Sequence, residues 1–456
     1  MVYEIGRAQE AGTLNRIVVV GGGAAGIGAA GAARQTDPEA EVRVYTEFED
    51  VGYSPCGIPY VHGREIPAFQ NLILQDREFY ARQGIDVHYT TRVTRLDLKG
   101  GAVEVEGEGR VGFDRLVVAT GFDYEPPGVP GDGLAGLYYV KNIRRAMEFD
   151  ELIDEARRVV VVDATPLGLE MATAMAHRQK ETHLVDPHPW LLSEVADPEI
   201  MKPVEDSLVE MGVRMHLNTR LEGFLGDGKV RAVATSEGEI PADLVVVCTP
   251  KRPNNRLARE AGLQIGSTGG IVVDERMATS VEGVYAAGDV VELPHAVTRV
   301  PVQGLTGSHA YAQGKVAGAN AAGGRRVYQP VYVPWGMVAG KWMVGGVSFG
   351  ETLATALGVP FVLGEAEGIS RARYYPGTTK IRVKLLAEPG SLRLIGAQLV
   401  GGEGIKERCD FLGVAVWKGI TIEDLAYMEN VYSPAIGALS EPIALAAQNC
   451  LARLQR

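Results

Sequence analysis

Four cysteines, Cys56, Cys248, Cys409 and Cys450, are too few and too far apart to staple a chain of 456 residues, which excludes a disulfide scaffold and fits a reducing compartment. Positive charge is not in excess either. Forty-five basic against 57 acidic side chains leave a formal charge of −12, which repels phosphate backbones and anionic lipid and argues against nucleic acid or membrane as partners. No uninterrupted apolar run nears the ~20 residues of a spanning helix, and the start of the chain lacks the basic-then-apolar order of a signal peptide, so the expectation is a cytoplasmic protein. Heptads and low-complexity tracts are missing too. What is plentiful is glycine, 57 residues in clusters, the mark of tight turns and of backbone brought close to a ligand.

The length suggests roughly three domains. Arg16-Ile17-Val18-Val19-Val20 is an apolar, β-branched run of the kind found in buried parallel strands. A glycine turn follows, then a small-residue helix over 27–34 and a strand over 41–45, completing one βαβ unit. A second unit starts with the strand at 158–162, turns through 163–168, continues as a helix over 169–178 and enters a strand at 182–185. Both units close on an apolar strand that runs into a small-residue turn, at Leu116-Val117-Val118-Ala119-Thr120-Gly121 and at Leu244-Val245-Val246-Val247-Cys248-Thr249-Pro250. From about Gln329 the composition shifts. Trp335, Trp342 and Trp417 appear, with strands over 380–386 and 394–399 and a helix over 404–417. The fold class read from this is α/β: two Rossmann-like dinucleotide-binding domains and a C-terminal α+β domain. The expected segments are 1–125 and 253–328 for the first domain, 126–252 for the second and 329–456 for the third.

Gly21, Gly23 and Gly26 form G-x-G-x-x-G between a strand and a helix: the first glycine allows the turn, the second lets backbone approach a pyrophosphate, and the third lets helix and strand pack closely. Ala24 and Ala25 complete this loop as cofactor-binding positions. The acid that such units carry after the second strand falls at Thr46 by spacing, with Glu47 next to it, and Glu47 is the expected ribose ligand. Cys56, in Val51-Gly52-Tyr53-Ser54-Pro55-Cys56-Gly57-Ile58-Pro59-Tyr60, stands among turn residues at the expected start of a helix, where a thiolate is stabilised. The other three cysteines read as small buried hydrophobes.

Gly283-Val284-Tyr285-Ala286-Ala287-Gly288-Asp289, taken with the first glycine loop and the Ala119, Thr120, Gly121 turn, resembles the three-part flavin fingerprint of flavoproteins with two dinucleotide-binding domains. The order of motifs is similar to that of the pyridine nucleotide–disulfide oxidoreductases, and the C-G-[IL]-P-Y context resembles their single-cysteine branch, which includes coenzyme A disulfide reductases, NADH oxidases and NADH peroxidases. The resemblance implies FAD as cofactor, Gly288 and Asp289 on its ribitol and pyrophosphate region, a redox role for Cys56 beside the flavin, and a terminal domain that pairs two chains into a homodimer. No metal is implied. Two-cysteine members carry C-x4-C, but Val51 and Val61 stand at that distance from Cys56, and the last histidine is His309 where they use a C-terminal His–Glu pair. Ala24 replaces the histidine of the peroxidases and oxidases. Tyr432-Ser433-Pro434, ten residues before Pro442, matches the tyrosine segment of the coenzyme A disulfide reductases and assigns Tyr432 an acid role toward the partner subunit's cysteine, with Tyr374 and Tyr375 as helpers or as interface packing. The helix that holds coenzyme A in that branch offers only Ala32, Ala33 and Arg34, so coenzyme A stays one candidate among several.

The second unit departs from the family. Its glycine positions read Asp163, Thr165 and Gly168, and Pro250 replaces a turn glycine, although Asp186 matches the acid that holds a nicotinamide nucleotide's ribose. NAD(P)H is therefore left open as the electron donor, and it is expected to be a poor one. The functional expectation is an FAD-dependent oxidoreductase passing electrons through Cys56 to a small disulfide, persulfide or related substrate. The alternative is an electron-transfer subunit that exchanges electrons with a redox protein partner.

Overall fold

The computed structural model describes residues 15–455, and the start of the chain weighed as a signal peptide lies outside them. Two parallel sheets repeat one plan. The first runs in the order Val284–Ala286, Arg115–Val118, Arg16–Val20, Glu41–Tyr45, Ile85–His88, with Val20 opposite Tyr45 on one side and Val118 on the other. The second runs in the order Leu137–Tyr139, Leu244–Val247, Arg158–Val162, Glu181–Val185, Arg214–His216. Each unit also carries a three-stranded antiparallel sheet, built from Val93–Asp97, Ala102–Val105 and Gly109–Gly112 in the first and Leu221–Asp227, Lys229–Thr235 and Gly238–Pro241 in the second. The chain returns to the first sheet only after completing the second, because Val284–Ala286 pairs with Arg115–Val118. The central strands are β-branched and buried on both faces, as parallel strands covered by helices must be.

In the first unit the helix Ala24–Thr36 lies against Gly307–Ala321 almost backbone to backbone. A Cβ on Gly314 would stand 2.1 Å from the Ala25 carbonyl oxygen, and one on Gly318 would stand 1.9 Å from that of Ala29. Large side chains are excluded from this seam, which fixes the glycine loop at the start of the first helix.

The third region is a five-stranded antiparallel sheet in the order Trp335–Ala339, Trp342–Val347, Leu394–Gly401, Lys380–Ala387, Val362–Ile369. The helices Ile405–Lys418 and Pro442–Leu454 pack on it, and the strand Leu394–Gly401 is buried throughout. Lys384 ties this sheet to the second unit. Its ammonium, 1% exposed, lies 2.8 Å from Asp197 Oδ2 and 2.9 Å from Glu351 Oε2 and also contacts Glu199. Those three carboxylates are close enough to hold a cation, and the lysine is that cation.

Candidate functional site

Three strand ends of the first sheet converge on its carboxyl edge, where open α/β sheets take ligands. Gly21 adopts φ +116, and a Cβ there would fall 2.1 Å from the Ala119 carbonyl oxygen, so the first turn and the Ala119, Thr120, Gly121 turn touch. Gly26 packs under the loop, its absent Cβ only 1.9 Å from the Gly21 oxygen. Gly288 stands against Ala25, 2.8 Å from a Cβ placed on it, and its N–H donates to Gln313 Oε1 at 2.9 Å. Thr120 Oγ1 donates to the Asn254 carbonyl at 2.8 Å.

Gly23 differs from its neighbours: a Cβ there meets nothing within 4 Å, and no side chain caps the helix that it begins. Helix N–H groups aimed into open space form an anion site. Asp289 follows Gly288, which packs on Ala25 of that helix; its carboxyl is pushed up by burial and drawn partly back by Lys251, whose Nζ is 3.4 Å away. A bare glycine cradle and a buried carboxylate with one loose partner suit the pyrophosphate and the hydroxyls of a dinucleotide.

Glu47 lines an open groove of about 540 Å³ with Phe48, Thr90, Arg92, Asp123 and Lys141, and Arg92 Nη2 holds its carboxylate at 2.7 Å. Thr46 is buried under Gly22, its hydroxyl accepting from Phe48 N at 3.2 Å. Of the two adjacent positions, Glu47 faces the groove.

Cys56 sits in a 3-10 turn, Pro55–Gly57, ahead of the five-residue helix Ile58–His62. The stabilised thiolate expected there does not follow from the protein alone. The residue is open to solvent on one side, but crowding on the other pushes the thiol up; Glu170 adds to this and Lys251 opposes it. A five-residue helix has too little dipole to outweigh that burial. The remaining cysteines are buried, as the sequence indicated.

Glu170 and Lys251 are neighbours of Cys56 that sequence reasoning missed. Glu170 accepts a hydrogen bond from Tyr60 Oη at 3.2 Å, and burial pushes its carboxyl up to about 7. It is the only acid in the small-residue helix Pro166–His177, a signal that was legible. Lys251 Nζ stands 4.4 Å from the Phe122 ring centroid. It follows the strand-end turn of the second unit, where comparison with Gly121 in the first could have singled it out.

Tyr432 is not gathered with Cys56 within one chain. It is exposed in the terminal region, and its hydroxyl meets that of Tyr374 at 3.4 Å. Tyr375 instead receives the Arg371 guanidinium 5.8 Å from its ring centroid. Arg34 is tied to the backbone, donating to Pro38 O at 2.6 Å and to Gly84 O at 2.5 Å.

In the second unit, Asp186 is buried and faces the loop. Its Oδ2 accepts from Ala164 N at 2.6 Å, and its Oδ1 from His188 N at 2.8 Å.

Comparison with known proteins joins these features. The sequence profile of the pyridine nucleotide-disulphide oxidoreductases matches residues 15–315, and that of their dimerisation domain matches residues 336–441. A protein of Methanocaldococcus jannaschii named NADH oxidase is 34% identical over 96% of this chain and 99% of its own length. A Pyrococcus horikoshii protein named NAD(P)H coenzyme A polysulfide/persulfide reductase is 32% identical over 95% of this chain and 98% of its own. The solved structure of a NAD-dependent persulfide reductase from A. fulgidus superposes with a TM-score of 0.93 at 33% identity, covering 96% of this chain and 84% of that one.

Proposed function

Since the chain belongs to the pyridine nucleotide-disulphide oxidoreductases, an FAD-dependent family of oxidoreductases, we propose that it reduces a low-molecular-weight disulfide, persulfide or polysulfide through Cys56. The observation that carries the proposal is Cys56 itself, a solvent-open thiol beside Glu170, Lys251 and Asp289. The sulfur-reducing names of two relatives, from Pyrococcus horikoshii and A. fulgidus, favour the same substrate class.

Gly21, Gly23, Ala24, Ala25 and Gly26 would hold FAD, with Glu47 toward the adenosine end and Asp289 toward the ribitol; once reduced by an external two-electron donor, the flavin would supply the electron pair that returns Cys56 to the thiolate. The Cys56 sulfur attacks one sulfur of the substrate and forms a mixed disulfide, while the other sulfur leaves as a thiolate or hydrosulfide. That leaving group needs a proton. Tyr432 of the partner subunit would supply it, which makes the active unit a homodimer. An exposed apolar set, Val414, Trp417, Tyr427, Val431 and Leu439, supports this assembly: so much uncovered apolar surface in one region suits an interface. Lys251 would oppose the upward push on the thiol while Cys56 is ionised.

The test uses holoenzyme whose flavin has been photoreduced, mixed anaerobically with a low-molecular-weight disulfide or polysulfide. The native protein is expected to reoxidise stoichiometrically. Cys56→Ser should keep its FAD and lose both this reoxidation and any thiolate-to-flavin absorbance. Tyr432→Phe should slow the step by about 10²-fold, the low end of general-acid contributions. Normal reoxidation of Cys56→Ser would overturn the proposal.

A further inference from the structure

We propose that the second dinucleotide fold of this chain is closed to NAD(P)H by its own side chains, which occupy the place a pyrophosphate would take. The two glycine loops of the molecule supply the comparison. Both lie between a parallel strand and a helix of at least 12 residues, and both keep the third glycine: a Cβ on Gly168 would stand 2.0 Å from the Asp163 oxygen, as one on Gly26 would stand 1.9 Å from the Gly21 oxygen. Strand and helix therefore pack alike in the two units. The difference lies at the start of the helix.

In the first loop the cap is Gly23, with no side-chain hydrogen bond and open space where a Cβ would be. In the second the cap is Thr165, whose Oγ1 accepts from Gly168 N at 3.3 Å and donates to the Cys248 carbonyl at 3.1 Å. The next residue, Pro166, has no N–H to offer. Ala164 N, one residue earlier, already donates to Asp186 at 2.6 Å. Of the donors that should face an incoming phosphate, two are occupied by the chain's own oxygens and one is missing.

Charge acts in the same direction. Asp163 stands at the first glycine position with φ +70, close to Asp186, so a dianionic pyrophosphate would enter beside two carboxylates. Asp186, the residue that should hold the adenosine ribose, has both oxygens engaged, since Oδ1 accepts from His188 N at 2.8 Å and pairs with its Nδ1 at 2.9 Å. At the neighbouring strand end Thr249 Oγ1 donates to Glu125 O at 2.7 Å, and Pro250 stiffens the turn. Strand, helix and third glycine persist, while two of the donors a dinucleotide phosphate would use are taken from within and a third is missing.

ADP-ribose is the suitable probe, because it carries the pyrophosphate and both riboses without the nicotinamide and its binding is read without turnover at Cys56. Isothermal titration of the FAD-loaded holoenzyme at pH 7.5 should give a Kd weaker than about 1 mM. Asp163→Gly, Thr165→Gly, with unchanged FAD content, should bind at least tenfold more tightly. Thr165→Gly alone, which leaves the Asp163 backbone as it is, should show a smaller gain and guards against misfolding of the double variant. Micromolar binding by the native holoenzyme would overturn the proposal, and so would variants that bind no better than it does.

Discussion

Asp163→Asn isolates the electrostatic load in the second loop from its shape. Burial first, and then the Asp186 carboxylate, push the Asp163 carboxyl up from its ordinary 3.8 to about 6. An acid whose folded value exceeds its unfolded value holds its proton more tightly in the fold. Its contribution to stability is therefore full below about pH 4 and is lost as the pH rises through 6, and at pH 7.5 the ionised group is a net load on the native state. A shift of about two units corresponds to a ceiling of about 3 kcal/mol. Asp163 is only partly buried, so screening by solvent brings the expected figure down to about 1–2 kcal/mol. Asparagine keeps the size of the side chain and tolerates positive φ, so the backbone at φ +70 adds no opposing penalty. His188, which lowers the carboxyl, and Glu194, which raises it, also face the group; their action is lost with the charge and is already contained in the shift to about 6. Thermal unfolding of native and variant holoenzyme at pH 7.5 and at pH 4 makes the measurement. At about 2 cal/mol/K per residue, unfolding of the whole chain as one unit gives a rise of about 1–2 °C at pH 7.5, and separate melting of the second unit gives several degrees. At pH 4 the difference should all but vanish. An equal gain at both pH values, or a loss at pH 7.5, would refute the reasoning.

Gly23→Glu should leave the protein folded and strip it of flavin, because a Cβ at that position meets no protein atom within 4 Å while the added carboxylate enters the anion cradle; the ratio of absorbance at 450 to 280 nm after purification measures it, and full retention would remove Gly23 from the cofactor site. Lys384→Met leaves Asp197, Glu199 and Glu351 clustered without their cation and should cost about 3–5 kcal/mol at neutral pH. Part of that loss should return as the pH falls toward 4 and the carboxylates take up protons, so a variant as stable as the native protein in neutral urea would contradict the assignment.

The parts of this molecule that were legible in the sequence are those where one residue type has one physical use. Arg16–Val20 and Arg158–Val162 read as parallel strands because only a strand covered on both faces tolerates an unbroken β-branched run. Gly21 and Gly26 read as a turn and a close approach because no Cβ fits there. The small antiparallel sheets escaped, since Val93–Asp97 and Gly109–Gly112 are half exposed and mix charge with glycine, which leaves no clear alternation. The second helix began at Pro166 rather than 169, since proline at the first helical position is tolerated and breaks only what precedes it. The thiolate state of Cys56 was not legible for a different reason: the sequence marks a helix start but not its length or the crowding around the thiol, and burial, with Glu170 adding to it, pushes the thiol up. Asp186 lies between these cases. Its position at a strand end was correct, and the ribose role assigned to it assumed a carboxylate free to bind. That carboxylate is instead held by the backbone of the second loop, at Ala164 N. The substitutions at 163 and 165 and the hydrogen bonds of Asp186 oppose a dinucleotide at the same loop, so the gain expected of the double variant comes from the loop alone while Ala164 N still holds Asp186.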